Sequence, residues 1–238
     1  MNNKYAVVSN KVPQICSKLE EFGYKLIYTE SVDGFISYEK NHADIQCITV
    51  DDKVFVLNVC CELSTKLREI GFNVTHTTDY IDGIYPNNVR LNAKIIGSNV
   101  ICKEESLDSK LKRHLLNNNY NLINVNQGYA ACSCVKVNEN AIITADNSIY
   151  RALKSTYIDV LKIHEGYIDL YGAGENTHGF LGGASVLLNK SNLLFFGDIR
   201  KHPAYDKINS FCRKRNVNIH YIDSIQLTDI GGAVLLNI

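Results

Sequence analysis

The chain has 238 residues, 45% of them apolar and 21% charged, and its 25 basic side chains are balanced by 25 acidic ones. That is an ordinary globular composition, and with no basic block beyond the short "CRKRNV" it offers no footprint for nucleic acid. No apolar run approaches the ~20 residues that span a bilayer, which excludes a membrane-spanning helix.

The opening "MNNKYAVVSNKVPQ" lacks the apolar stretch of a secretory signal. The expectation is therefore a cytoplasmic protein whose eight cysteines are mostly reduced. No pair of them has the two-residue gap of a zinc ribbon or redox motif, so no metal site and no cofactor are expected.

In chain order, "YAVVS" reads as a strand and "VPQICSKLEEFG" as a helix presenting Ile15, Leu19 and Phe22 on one face, followed by the strand "YKLIYT". Next comes "HADIQCITVDDKVFVLNV": a small or polar head, an apolar strand, a turn and a second apolar strand. The same hairpin pattern returns in "NVRLNAKIIGSNVICKEE", "GYAACSCVKVNENAIITAD", "GFLGGASVLLNKSNLLFFGD" and "TDIGGAVLLNI". After each of the first four runs an amphipathic helix: "ELSTKLREIG", "SLDSKLKRHLLNNN", "DNSIYRALKS" and "HPAYDKINSFCRKRN". A strand then follows each helix: "FNVTHT", "YNLINV", "IDVLKI" and "VNIHYI". Ser106 and Asp146 read as helix N-caps and Pro203 as a first-turn residue.

The fifth hairpin stops at Ile238 with no helix or strand behind it, and the missing pieces stand at the N-terminus. Hairpin heads at Cys47, Ala93, Cys134, Ser185 and Ala233 are spaced by 46, 41, 51 and 48 residues. A repeat split between the two ends cannot bury its apolar face unless the ends meet. The expected fold is thus α/β: five ββαβ units closed into one pseudo-symmetric domain over residues 1–238.

A closed ring of this kind resembles the pentein fold, the five-bladed α/β propeller of guanidino-group-modifying enzymes such as arginine deiminases and dimethylarginine dimethylaminohydrolases. "HADIQCITVDD" is similar to the histidine-bearing blade of that superfamily, and "QGYAACSCVKVN" to its cysteine-bearing blade. The resemblance implies Cys132 as nucleophile, with a lowered pKa beside an imidazole. It implies His42 as general acid and base, and Asp44 as a group that orients the imidazole or holds a substrate amine. The order of the two motifs implies a circular permutation. Carboxylates that grip a guanidinium in the family fall here on "GFLGGAS" and "TDIGGAV", where Gly182, Gly183, Ile230 and Ala233 stand and Asp229 is one residue out of register. An arginine-like substrate is accordingly not expected.

Beside the resemblance, each residue keeps a plainer reading: Cys132 as a small buried side chain, His42 as a turn histidine, Asp44 as a turn-stabilising polar group. Cys132-x-Cys134 on a strand points both thiols to one face, with Cys134 packed below as core. Arg90 and Asn92 head the intervening unit, where the arginine fork suits a carboxylate or phosphate; the alternative is an arginine that plugs the ring by pairing with Asp44. The glycine-rich "GAGENTHGFLGGAS" precedes a strand, which is the wrong context for a dinucleotide loop; as a loop over a cavity mouth it would offer Glu175 and His178. Asp198 and His202 read as turn and cap residues.

The expected activity is cysteine-dependent hydrolysis or group transfer at an amidine-, amide- or ureido-type carbon of a small molecule held in the central cavity. The alternative is a non-catalytic binding module of the same fold.

Overall fold

The apolar runs become strands and the amphipathic runs helices, in the order β1 (Lys4–Val8), α1 (Pro13–Glu21), β2 (Lys25–Tyr28), α2 (Ala43–Gln46), β3 (Cys47–Val50), β4 (Lys53–Val56), α3 (Cys61–Ile70) and β5 (Asn73–His76). There follow β6 (Lys94–Ile96), β7 (Asn99–Cys102), α4 (Ser109–Asn117), β8 (Asn121–Asn124), α5 (Ala130–Ser133), β9 (Cys134–Asn138), β10 (Ala141–Thr144), α6 (Asn147–Leu153) and β11 (Asp159–Lys162). The last third holds β12 (Asp169–Leu170), β13 (Ser185–Asn189), β14 (Asn192–Phe195), α7 (Tyr205–Arg213), β15 (Asn218–His220), β16 (Thr228–Asp229) and β17 (Ala233–Asn237). The structure is a computed structural model and describes residues 3–174 and 177–238.

The strands form five three-stranded sheets, β17-β1-β2, β3-β4-β5, β6-β7-β8, β9-β10-β11 and β13-β14-β15, and one two-stranded sheet, β12-β16. In each three-stranded sheet the middle strand runs antiparallel to the first and parallel to the third. The parallel step needs a crossover, which the intervening helix supplies. Middle strands are covered on both faces, so they read as continuous apolar runs such as Val54, Phe55 and Val56, all buried. β17 pairs with β1 from Ala233 opposite Val8 to Asn237 opposite Lys4. One sheet therefore takes strands from both ends of the chain. Leu236 and Val7 from that sheet pack into one apolar cluster with Phe55, Leu63 and Leu67, where burying each large side chain contributes about 1.5–3 kcal/mol.

Three local expectations shift. Asp108 rather than Ser106 caps α4: its Oδ1 accepts from the Lys110 and Leu111 amides. Its Oδ2 accepts from the Thr78 and Asp79 amides, so one buried carboxylate fastens α4 to a distant loop. Pro203 precedes the cap residue Ala204 and lies outside α7. Asp146 does cap α6, accepting from Ile149 N at 2.8 Å. The third shift bears on the site: the heads of β3 and β9 are the one-turn helices α2 and α5. Cys132 thus sits on a helical turn, and only Cys134 begins the strand.

A cavity of about 280 Å3 is lined by residues of β3, β6, β9, β13 and β17, one strand from each three-stranded sheet. Among the described residues no helix is long and apolar enough to cross a membrane, and all eight cysteines are free thiols.

Candidate active site

α2 and α5 bring together three side chains from distant parts of the chain. One ligating atom each of His42, Asp44 and Cys132 lies within 4.8 Å of the others. His42 is the N-cap of α2, and the Asp44 amide donates to Gly231 O at 3.0 Å, pinning that turn to the segment between β16 and β17. Gly231 adopts φ +78°, and any Cβ there would overlap the Cβ and Cγ of His42; only glycine permits this approach.

Cys132 Sγ donates to Asp44 Oδ2 at 2.8 Å. Asn92 joins the two helical turns. Its Nδ2 donates to Cys132 Sγ at 3.2 Å and to Asp44 O at 3.2 Å, while its Oδ1 accepts from Ala131 N at 2.8 Å. Asp229, buried at the end of β16, accepts from the amides of Phe180 and Gly231, each at 2.8 Å. The missing Cβ of Gly183 leaves room for the Asp229 carboxylate, and Gly183 N donates to Cys132 O at 3.0 Å.

The electrostatics favour a protonated thiol at rest. Burial pushes the Cys132 pKa up, and the carboxylates of Asp44 and Asp229 push it further. This corrects the expectation of a lowered pKa: two acids and desolvation face the sulfur, and the thiol donates a hydrogen bond. Asp44 is pushed up to about 6 by burial first, with Asp229 adding to it, against the opposing pull of His42, the Cys132 bond and Lys94. Burial raises Asp229 as well. Two polar atoms of the cluster, His42 Nε2 and Asp44 Oδ1, are buried without a partner among the described residues.

A family model described as "family of unknown function (DUF6873)" matches residues 7–234. The chain belongs to this family. No curated protein matches it. Among solved structures, the chain is similar to the dimethylarginine dimethylaminohydrolase of Pseudomonas aeruginosa in complex with citrulline, at 7% identity and TM-score 0.59, covering 99% of both chains. It is similar to an amidinotransferase of the saxitoxin pathway from Microseira wollei, at 11% identity and TM-score 0.55, covering 92% of this chain and 88% of that one. The agmatine deiminase of C. jejuni matches at 12% identity and TM-score 0.54, covering 93% of this chain and 87% of that one. These proteins share the pentein fold, and at such identities the likeness is one of fold.

The other sequence candidates separate. Asn92 reaches the site, whereas Arg90 does not: its guanidinium donates to Tyr80 O, Ser106 O and Asn87 Oδ1 and holds a loop. Neither anion binding at the site nor a pairing with Asp44 rests on it. Asp44 meets the thiol rather than the imidazole, because the short helix turns its carboxylate toward α5. His178 is exposed and, among the described residues, forms a backbone bridge with Asp169; Glu175 lies outside the described residues. Asp198 accepts from Arg200 N, and His202 Nδ1 accepts from Ala204 N, both local turn contacts. Cys134 is fully buried among Ile96, Ile101 and Ile142, as core.

Two contributors escaped the sequence reading. Lys94 lines the strand-walled cavity beside Asp44, and a lysine inside "NAKII" was the available signal, since an interior strand position seldom carries a charge. Tyr129, next to α5, donates to Glu39 Oε1 at 3.0 Å and accepts from Asn88 Nδ2 at 2.8 Å, anchoring the approach to Cys132. No local pattern marks that trio. His42 faces a second cavity of about 260 Å3, lined also by Ser9, Tyr38, Lys40 and Tyr171.

Proposed function

We propose that the chain is a pentein-type enzyme, cytoplasmic and one domain over residues 1–238, that attacks a planar amidine-, amide- or ureido-type carbon of a small molecule with Cys132. In this reading the five three-stranded sheets are blades around the strand-lined cavity, with β1 on β17 completing the fifth. The observation that carries the proposal is the buried meeting of Cys132, Asp44 and His42 within 4.8 Å, with Asp229 beside them. The eight free thiols suit a reducing compartment.

The same field that keeps the thiol protonated selects the substrate. A cationic amidinium entering against Asp44 and Asp229 would cancel the charges that hold the proton on sulfur. Sulfur then forms a bond to the carbon, and the thiol proton passes to His42. His42 delivers it to the departing nitrogen as the C–N bond breaks. Water attacks the same carbon and gives a proton to His42; the S–C bond breaks, and sulfur recovers its electron pair and a proton. An amine in place of water makes the same sequence a group transfer. Asn92 acts as a positioning residue that holds the thiol against Asp44.

The test compares two alkylating agents of equal size near neutral pH, a neutral haloacetamide and a cationic haloacetamidine. Exposed Cys61 is expected to react with both, whereas Cys132, 2% exposed, should take the amidine about tenfold faster or more than the amide. Asp44→Asn should erase that preference. Equal, slow labelling of Cys132 by both agents would instead support the non-catalytic binder.

A further inference from the structure

The cavity walled by β3, β6, β9, β13 and β17 holds a lysine that makes no direct ion pair among the described residues. Lys94 lines this cavity and takes part in none of the ion pairs. The other lysine of the wall, Lys136, already pairs with Glu139 at 2.9 Å. The one acid of the wall is Asp44, whose Oδ2 is engaged by the Cys132 thiol. Burial also presses Lys94 toward its neutral form. A half-buried ammonium without a direct ion-pair partner is disfavoured, and an anion in the cavity offsets that cost.

The remaining wall decides which anion. Ile48, Ile95, Val186, Leu187, Val234 and Leu235 present hydrocarbon along its length. A hydrated inorganic ion gains nothing from those surfaces, whereas a small organic acid buries its body against them. The volume of about 280 Å3 is close to the ~300 Å3 at which small-molecule sites begin. We propose that this cavity is a second ligand site for a small organic carboxylate, its carboxylate on Lys94 Nζ and its apolar body along the strand side chains. The cavity shares Asp44 with the proposed active site, but the inference rests on Lys94 and the apolar wall and does not require Cys132 to act as a nucleophile.

The experiment titrates the full-length chain with hexanoate by calorimetry near neutral pH, with inorganic phosphate as a parallel arm. Hexanoate should bind saturably at one site. Its affinity should fall about tenfold or more in Lys94→Met and persist in Lys94→Arg. No saturation, or unchanged affinity in Lys94→Met, would overturn the proposal; so would phosphate binding as tightly as hexanoate with the same dependence on Lys94. Should Lys94→Met fail to fold, lysine side-chain carbon labelling of the wild-type chain decides, with the Lys94 signal assigned through Lys94→Arg. A hexanoate-dependent shift of that signal supports the site, and shifts confined to other lysines refute it.

Discussion

Asp44 is the residue on which the site's chemistry and its cost converge. Its carboxyl is raised from 3.8 to about 6 by burial and by Asp229. Between those two pH values the folded chain keeps a proton that the unfolded chain has lost, so stability falls as pH rises through the window and levels off above it. A displacement of ~2 units corresponds to ~3 kcal/mol. Asp44→Asn should therefore flatten the stability profile between about pH 4 and about pH 6, as read from urea denaturation at several pH values; an unchanged slope would show that the carboxyl is not perturbed. Such a loss of stability is tolerable only where the ionised form is useful, and a bound cation would restore it by pairing with the carboxylate.

At the scale of elements, the site depends on two four-residue helices and on the segment that leads into β17. The hairpins and crossover helices were legible because periods of two and 3.6 leave their mark over many residues. α2 and α5 left none, since one turn is shorter than the pattern that would reveal it. The resemblance therefore sets Cys132 beside its strand without aiming it, and leaves Asp44 to orient the imidazole or hold a substrate amine, where the structure turns its carboxylate to the thiol. Gly231 and Gly232 both take positive φ and re-aim the chain just before β17, a turn that no strand periodicity reveals. Arg90 reads from the sequence as an anion fork or a plug of the ring, because the carbonyls of Tyr80 and Ser106 that occupy it come from loops with no periodicity at all. Gly231→Ala tests the element directly. The added methyl meets His42 in a left-handed backbone, so an overpacking cost of about 1–3 kcal/mol is expected. The amidine preference of Cys132 should be lost with it, and a variant with native stability and labelling would refute the contact.

At the scale of the whole molecule, residues near both ends are stapled by the same strand pair. Leu236 on β17 is buried in a cluster with side chains of β1, β3, β4 and α3. Leu236→Ala should cost about 2–5 kcal/mol and shift one cooperative transition, measured by fluorescence and circular dichroism together; two separated transitions would mean that the terminal sheet melts by itself. The pairing reaches the last residue, where Asn3 and Ile238 exchange both backbone hydrogen bonds, at 2.9 and 3.1 Å. A few added residues bridging that gap would turn the terminal pair into an ordinary hairpin. The polypeptide would become endless, its unfolded state would lose the freedom of two independent tails, and a fresh opening could be cut at an exposed turn such as the one around Lys190 and Ser191 without parting His42 from Cys132.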